Sequence, residues 1–327
     1  MKILMDGRGP PRHGVARHAR ILMRLVAEQG HTVVEAGPAD LTHAQFTDAL
    51  WGGDVVTAAA AFGAWAATIP KPLVVTLHDV PGADADARRD RRRGAAYAAV
   101  IAACDGVIVS SWHEATKVAR LGHAEPAVIE LPLPTPVVPG PAAAARWPDG
   151  PTVALMGFLY PGKGHTEVIA AAARCSVRPT VVSLGSVSAG HDALRRQLRG
   201  QAGRDGVRLV VTGPLSGAAM ARAAATVTVP VMPNRSPSAS ASLVTWLGCR
   251  RRPLVADGAY SRELEARHPG VTEIYRGIDE LGERIDRALA DPGRTRLDRL
   301  PPWPDVGAEH VEEYQRALGE TGTARAS

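Results

Sequence analysis

Lysine is scarce in this chain: Lys2, Lys71, Lys117 and Lys163 stand against 34 arginines. With the heavy use of alanine, the imbalance reads as GC-rich coding bias. Runs of arginine therefore carry little functional information, and a lysine in a tight turn carries more. Cysteine is scarce as well. Cys104, Cys175 and Cys249 are far apart, odd in number and without CxxC or Cys/His spacing. That argues against a zinc site or a disulfide framework and for reduced thiols in a cytoplasmic protein. The longest uncharged stretch, residues 55–70, is Ala-rich and shorter than the ~20 residues that span a bilayer. Asp6 interrupts the start before a signal-peptide core can form, so a cytoplasmic location is expected.

What is present suffices for two cores. At roughly 100–200 residues per domain, 327 residues divide into two, and 45% hydrophobic with 22% charged residues fits globular packing. The net charge of +5 is unevenly placed: residues 1–140 hold 14 basic and 14 acidic side chains, residues 141–327 hold 24 and 19. An excess confined to one half suits a small polyanionic ligand better than a nucleic-acid track, and no nucleic-acid partner is expected.

The dominant rhythm is a short apolar run, a Gly/Pro/Asp break and an amphipathic helical stretch. The first half offers KILMDG, HTVVEAG, DVVTAA, PLVVTLHD, GVIVSS and AVIELPLP as strands. Helical patterns fall at residues 15–29 and 88–103. The second half restarts with PTVALMG, PTVVSLG, VRLVVTG, ATVTVPV, RPLVAD and VTEIY. Continuous Val/Ile/Leu strands alternating with helices imply parallel sheets covered on both faces. The prolines of residues 132–151 read as an extended linker. The expected architecture is α/β, with two doubly wound Rossmann-like domains at residues 1–140 and 141–304. A last helix over 306–318 and a tail complete the chain.

The sharpest motif is VALMGFLYPGKGHTEVIAAAA, residues 153–173. A strand ends at Gly157, a Gly/Pro turn carries Lys163, and a helix begins near His165 and Thr166. Close backbone approach, free helix N–H groups and a full charge make an anion cradle. The ordinary alternative is a βα turn with a solvated lysine. Gly157-x4-Gly162-Lys163 also fits GxxxxGK, but Gly164 stands where a P-loop needs a Mg²⁺-binding Ser or Thr. Residues 230–264 bring Ser236, Ser238, Ser240 and Ser242 to a helix start around residues 239–242. Hydroxyls there suit phosphate or sugar, although one serine is explained by N-capping. The first strand opens into a loop with Gly7, Gly9 and Gly14, where Arg12, Arg17 and His18 contact anions or face water. His78 and Asp79 stand at another strand's carboxyl end, a place where a histidine is either structural or poised for proton transfer and hydrogen bonding. Asp84-Ala85-Asp86 reads as DxD, and residues 87–94 as ARRDRRRG. The first is a chance match, the second a solvated helix start with a minor option of touching anionic lipid or a phosphorylated acceptor.

In order along the chain these segments resemble the GT-B glycosyltransferases, particularly the retaining family-4 group. The stretch from His13 to His18 is similar to the family's glycine-bearing helix start, and His78 to its strand-end histidine. Residues 106–122 are similar to its serine-bearing strand and helix. Residues 153–173 resemble its G-R-L…K-G segment, whose lysine holds the donor diphosphate; Lys163 matches it. Residues 207–220 look like the strand and turn beside the nucleotide base, and residues 301–318 like the helix that returns to the N-terminal domain. Two positions depart from the pattern. Phe158 replaces the diphosphate arginine, and the two positions of the E-x7-E pair fall near Ser238 and Trp246, within a stretch from Asp205 to Asp257 that holds no carboxylate between its ends.

The resemblance implies glycosyl transfer from a nucleotide-diphosphate sugar to an acceptor hydroxyl, with retention and without a cofactor or obligatory metal. It implies donor contacts at Gly14, Gly157, Lys163, Ser238, Ser240, Ser242 and Leu243, and base or ribose contacts at Gly213, Leu215 and Trp246. His78 would orient the sugar or acceptor, with Arg12, Arg17 and Asp79 on the acceptor side. The acceptor is a small molecule, a saccharide or a lipid carrier. The alternatives are a catalytically silent GT-B binding or partner protein, a nucleotide-sugar epimerase and a P-loop NTPase.

Overall fold

The computed structural model describes residues 1–10, 13–82, 86–122, 125–134, 150–234 and 237–319. Its contacts divide the chain into two units, Met1–Pro132 with Pro304–Ser327, and Leu133–Trp303. Arg12, Ser236, Asp84 and Ala85, and residues 135–149 of the expected linker, lie outside the described residues.

The first unit runs β1 (Lys2–Met5), α1 (Gly14–Glu28), β2 (Thr32–Val34), β3 (Leu41–Phe46), α2 (Asp48–Trp51), α3 (Val55–Ala66), β4 (Leu73–Leu77), α4 (Ala87–Ala102), β5 (Gly106–Val109), α5 (Trp112–Arg120) and β6 (Ala127–Val128). All strand pairs are parallel, in the order β2-β1-β3-β4-β5-β6. Side chains alternate across the sheet, so Leu73, Val75 and Leu77 of β4 enter a core with Phe46, Phe62, Tyr97 and Val100. Val74 enters the opposite core, with Ile3, Met5, Leu22 and Val26. Burying each such side chain stabilises the fold by about 1.5–3 kcal/mol. The chain's last described helix, Val306–Ala317, closes this second core through Val306 and Tyr314 and packs on α1.

The second unit runs β7 (Thr152–Met156), α6 (His165–Arg174), β8 (Thr180–Leu184), α7 (Asp192–Arg204), β9 (Leu209–Val211), α8 (Gly217–Thr226), β10 (Val229–Met232), α9 (Ala241–Gly248), β11 (Leu254–Ala256), α10 (Ala259–Arg267), β12 (Glu273–Tyr275) and α11 (Ile278–Ala290). The helix Val306–Ala317 that follows is α12. The parallel order is β12-β11-β10-β7-β8-β9. β7, β8 and β9 build outward on one side, and the chain then returns to place β10 on the other side of β7. The switch point of this sheet therefore lies between β7 and β10, where open α/β sheets take ligands at the carboxyl ends of the strands. In the first unit the corresponding point lies between β1 and β3.

One strand expectation is overturned. DVVTAA is not a strand: Asp54 accepts hydrogen bonds from the N–H groups of Val56 and Thr57, and α3 begins there. The N-cap and the Ala-rich sequence outweigh two adjacent valines. The strand that takes its place is β3, LTHAQF, every residue of which is buried. It carries no apolar run: Thr42, His43 and Gln45 are polar, buried and hydrogen-bonded.

Candidate functional site

At the switch point of the second unit, three sequence-expected residues converge. Gly157 leaves β7 with φ +108°. A Cβ built there would stand 3.0 Å from Ser242 Oγ and 3.5 Å from Lys163 Nζ. Glycine is needed for both the backbone angle and the space. Gly164, the residue after the lysine, also has positive φ (+90°), and a Cβ there would meet Pro233 at 2.5 Å. The loop after β7 is thereby pressed against the end of β10.

Lys163 is 7% exposed. Loss of water pulls its pKa down to about 8. Among the described residues its ammonium has no carboxylate and no hydrogen-bond acceptor; the Tyr160 ring lies 5.8 Å away. A buried cation with no counter-charge is costly and calls for an anion to complete it. α6 begins immediately after the lysine, with no side-chain cap on its first N–H groups. α9 begins nearby, and its cap is Ser240, whose Oγ accepts from Leu243 N at 3.2 Å. The N–H groups of Ala241 and Ser242 at the same helix start lack intrahelical partners. A cavity of about 260 Å³ opens beside the lysine turn, lined by Gly162, Gly164, Glu167, Pro233, Asn234 and Tyr275 among others. His165 is buried behind the turn with Nε2 3.0 Å from Ser183 Oγ, and burial, then Lys163, lowers its pKa to about 4.

The other expected positions sort by burial. Ser238 is half-buried in the turn before α9, and Ser240 is the structural cap. Gly213 follows β9 with φ +74°, and Leu215 packs beside the core of α8 and α9. Phe158 is 43% exposed, an apolar ring where a cation was expected. Two assignments are corrected. Trp246 is 0% exposed and packs with Ala154, Met156, Val182 and Ala224, so its ring cannot reach a ribose. Leu243 is equally buried and its N–H is already taken by Ser240, so it offers a phosphate nothing. Asp257, the nearest downstream carboxylate in sequence, is paired with Arg262 and Arg276 at 3.3 and 3.4 Å.

In the first unit His78 leaves β4 half-buried. Its N–H donates to Phe46 O at 2.9 Å, and its carbonyl accepts from Tyr97 Oη at 2.6 Å. The ring touches Gln45 Oε1 through Nε2 at 2.8 Å and lies edge-on to His18 at 5.6 Å. Burial, with the charge of His13 opposing a second cation, lowers its pKa to about 4, so the ring is neutral. Asp79 is held in a left-handed conformation, φ +54°, by Arg93 donating to its carbonyl at 2.8 Å and Thr47 donating to its carboxylate at 3.3 Å. Gly14 is exposed at the first turn of α1 with open space above it, and Arg17 is exposed on the next turn. Sequence reasoning missed Arg8. Its guanidinium lies 3.1 Å from the centroid of the Trp51 ring and pairs with Asp6. The signal was the Asp-Gly-Arg directly after β1. Among the described residues no group of three His, Cys, Asp or Glu side chains is placed to hold a metal ion, and no helix is long and apolar enough to cross a membrane.

Solved structures share this fold over nearly the whole chain. HepE of Anabaena, crystallised with UDP-glucose, is 18% identical, covers 97% of this chain and 95% of its own, and superposes with a TM-score of 0.71. Sucrose-phosphate synthase of Thermosynechococcus elongatus is 18% identical over 97% of this chain and 94% of its own, with a TM-score of 0.70. AviGT4, a glycosyltransferase involved in avilamycin A biosynthesis, is 16% identical over 98% of both chains, with a TM-score of 0.63. No family model and no curated protein sequence matches the chain. The fold is the two-domain α/β architecture of the GT-B glycosyltransferases.

Proposed function

We propose that the protein transfers a glycosyl group from a nucleotide-diphosphate sugar to an acceptor hydroxyl. The observation that carries this reading is Lys163, a buried ammonium without a counter-charge at the switch point of a GT-B sheet. HepE, with the same fold, has been crystallised with UDP and with UDP-glucose. As the bond from the anomeric carbon to the diphosphate breaks, negative charge builds on the leaving phosphate. A fixed ammonium beside uncapped helix N–H groups stabilises that charge more in the transition state than in the bound donor. Lys163, the first turn of α6 and the N–H groups of Ala241 and Ser242 would hold the diphosphate. Gly157 leaves room for it, and Gly213 and Leu215 would lie toward the base. His78 would orient a hydroxyl of the sugar or of the acceptor. Retention at the anomeric carbon and independence from a metal ion belong to the same proposal.

A second reading is a catalytically silent GT-B protein that binds the nucleotide sugar without turnover. It is favoured by the absence of any carboxylate from residue 206 to residue 256 and by the engagement of Asp257 with two arginines. Incubating the protein with UDP-, GDP-, dTDP- and ADP-sugars and following nucleoside diphosphate release separates the two. Transfer predicts release with one donor and its loss in Lys163→Ala, by about 2–4 kcal/mol in barrier. Binding without release supports the silent protein, and undiminished release in Lys163→Ala sinks the role given to the lysine.

A further inference from the structure

β3 is a central strand of which half the residues are polar, and its odd-numbered members lie on the face of the sheet that α1 and α12 cover. His43 and Gln45 are both buried there, and β4 adds Thr76 and, just past its end, His78 on the same face. The four side chains and Tyr314 of α12 form one hydrogen-bonded series. His78 Nε2 stands 2.8 Å from Gln45 Oε1. Gln45 Nε2 stands 3.3 Å from His43 Nε2, which is also 2.9 Å from Thr76 Oγ1. His43 Nδ1 stands 2.7 Å from Tyr314 Oη.

The orientation of the Gln45 amide sets the direction of every bond in the series. Its oxygen accepts from His78 Nε2–H. Its nitrogen, in that orientation, donates to His43 Nε2, and the Thr76 hydroxyl lies 2.9 Å from the same atom. The proton of His43 is therefore on Nδ1 and is donated to Tyr314 Oη. A single neutral tautomer follows for each ring, since a neutral imidazole carries one N–H and one lone pair. Burial holds both rings neutral, His43 well below the usual histidine range and His78 at about 4. His78 Nδ1 is left as a lone pair with no donor among the described residues, and it is not among the buried unpartnered atoms.

We propose that Gln45 is a positioning residue that holds His78 in its Nε2–H tautomer, so that His78 Nδ1 accepts a hydrogen bond from a hydroxyl of the bound acceptor. The inference rests on the glycosyl-transfer reading for the identity of that hydroxyl. The hold on the tautomer stands apart from it. An amide buried between two imidazoles fixes a proton position that an isolated strand-end histidine would leave free, and misplacing a hydrogen-bonding atom costs turnover more than it costs donor binding.

The test uses the full chain labelled with 15N-histidine, with His78 assigned from the spectrum of His78→Asn. The wild type is expected to show a protonated Nε2 and an unprotonated Nδ1 at His78. Gln45→Met removes the acceptor; it should mix the His78 tautomers and lower kcat roughly ten- to a hundredfold with little change in KM for the donor. Gln45→Glu keeps an acceptor for Nε2–H and should restore the tautomer and much of the rate. Tyr314→Phe perturbs the same series from α12 and serves where the Gln45 variants fold poorly; it should mix the tautomers in the same way. A protonated Nδ1 in the wild type overturns the proposal. So does an unmoved tautomer in a folded Gln45→Met or Tyr314→Phe, or equal impairment of Gln45→Met and Gln45→Glu. Absence of turnover in the wild type with the expected tautomer pattern counts against the glycosyl-transfer reading and leaves the Gln45 hold on His78 supported.

Discussion

Lys163 Nζ and Ser242 Oγ close on the same side of Gly157, 3.5 and 3.0 Å from the place a Cβ would occupy. A lysine after β7 and a serine after β10 thus both approach Gly157 at the switch point, and the glycine keeps the space open.

Gly157→Ala should fill that space. The positive φ alone costs about 1–2 kcal/mol of stability, and the added methyl should weaken diphosphate binding roughly tenfold or more. Gly162→Ala is the control. Its φ is +84° but a Cβ there meets nothing within 4 Å, so it should lose similar stability and keep its affinity. Equal affinity losses in the two variants, measured by calorimetric titration, would show that backbone strain rather than the filled space is responsible.

Lys163→Met should stabilise the ligand-free protein while abolishing donor binding. The native pKa of about 8 lies below that of an unfolded lysine, near 10.4. The unfolded chain therefore binds more protons between these values, and the penalty of the buried charge is full below pH 8 and fades as pH rises through that window. The gain at pH 7 should be on the order of 1–3 kcal/mol, or a few degrees in melting temperature, and smaller at pH 9.5. Thermal melts at the two pH values check it; a variant less stable than wild type at pH 7 would contradict it.

Donor affinity should fall as pH rises through about 8, because the free protein loses the ammonium there. An arginine stays protonated throughout this range, so Lys163→Arg, if it binds at all, should show no such decline. Titrations at pH 7, 8 and 9 decide between the two profiles.

Trp246→Phe should cost about 1–3 kcal/mol through lost packing and leave donor affinity unchanged. The indole is enclosed by the core and its Nε1 has no partner to lose. A selective loss of nucleotide affinity in a variant of near-native stability would return Trp246 to the site.

Much of this was legible before the structure. The strands of the second unit are continuous apolar runs, and Lys163 stood out as one of four lysines, in a turn of glycine and proline. Helix register was harder to read. Ser242 and Trp246 share one side of α9, but Ser242 sits in the first turn beside Gly157, while a turn further on the same side faces Ala154 and Met156. Spacing gives the interval and not the depth. β3 was illegible for a different reason: Thr42, His43 and Gln45 are polar in sequence and buried in the fold, their partners contributed by residues up to 271 positions away. No local pattern carries that information.

The central claim is that the second unit seats a nucleotide-sugar diphosphate on Lys163. Calorimetric titration of wild type and Lys163→Met with UDP-, GDP-, dTDP- and ADP-glucose at pH 7 tests it most directly. The account predicts that at least one of the four binds the wild type and that this affinity is lost in the variant although the variant melts at a higher temperature. Binding of equal strength to both proteins, or no binding of any of the four to the wild type, would contradict it.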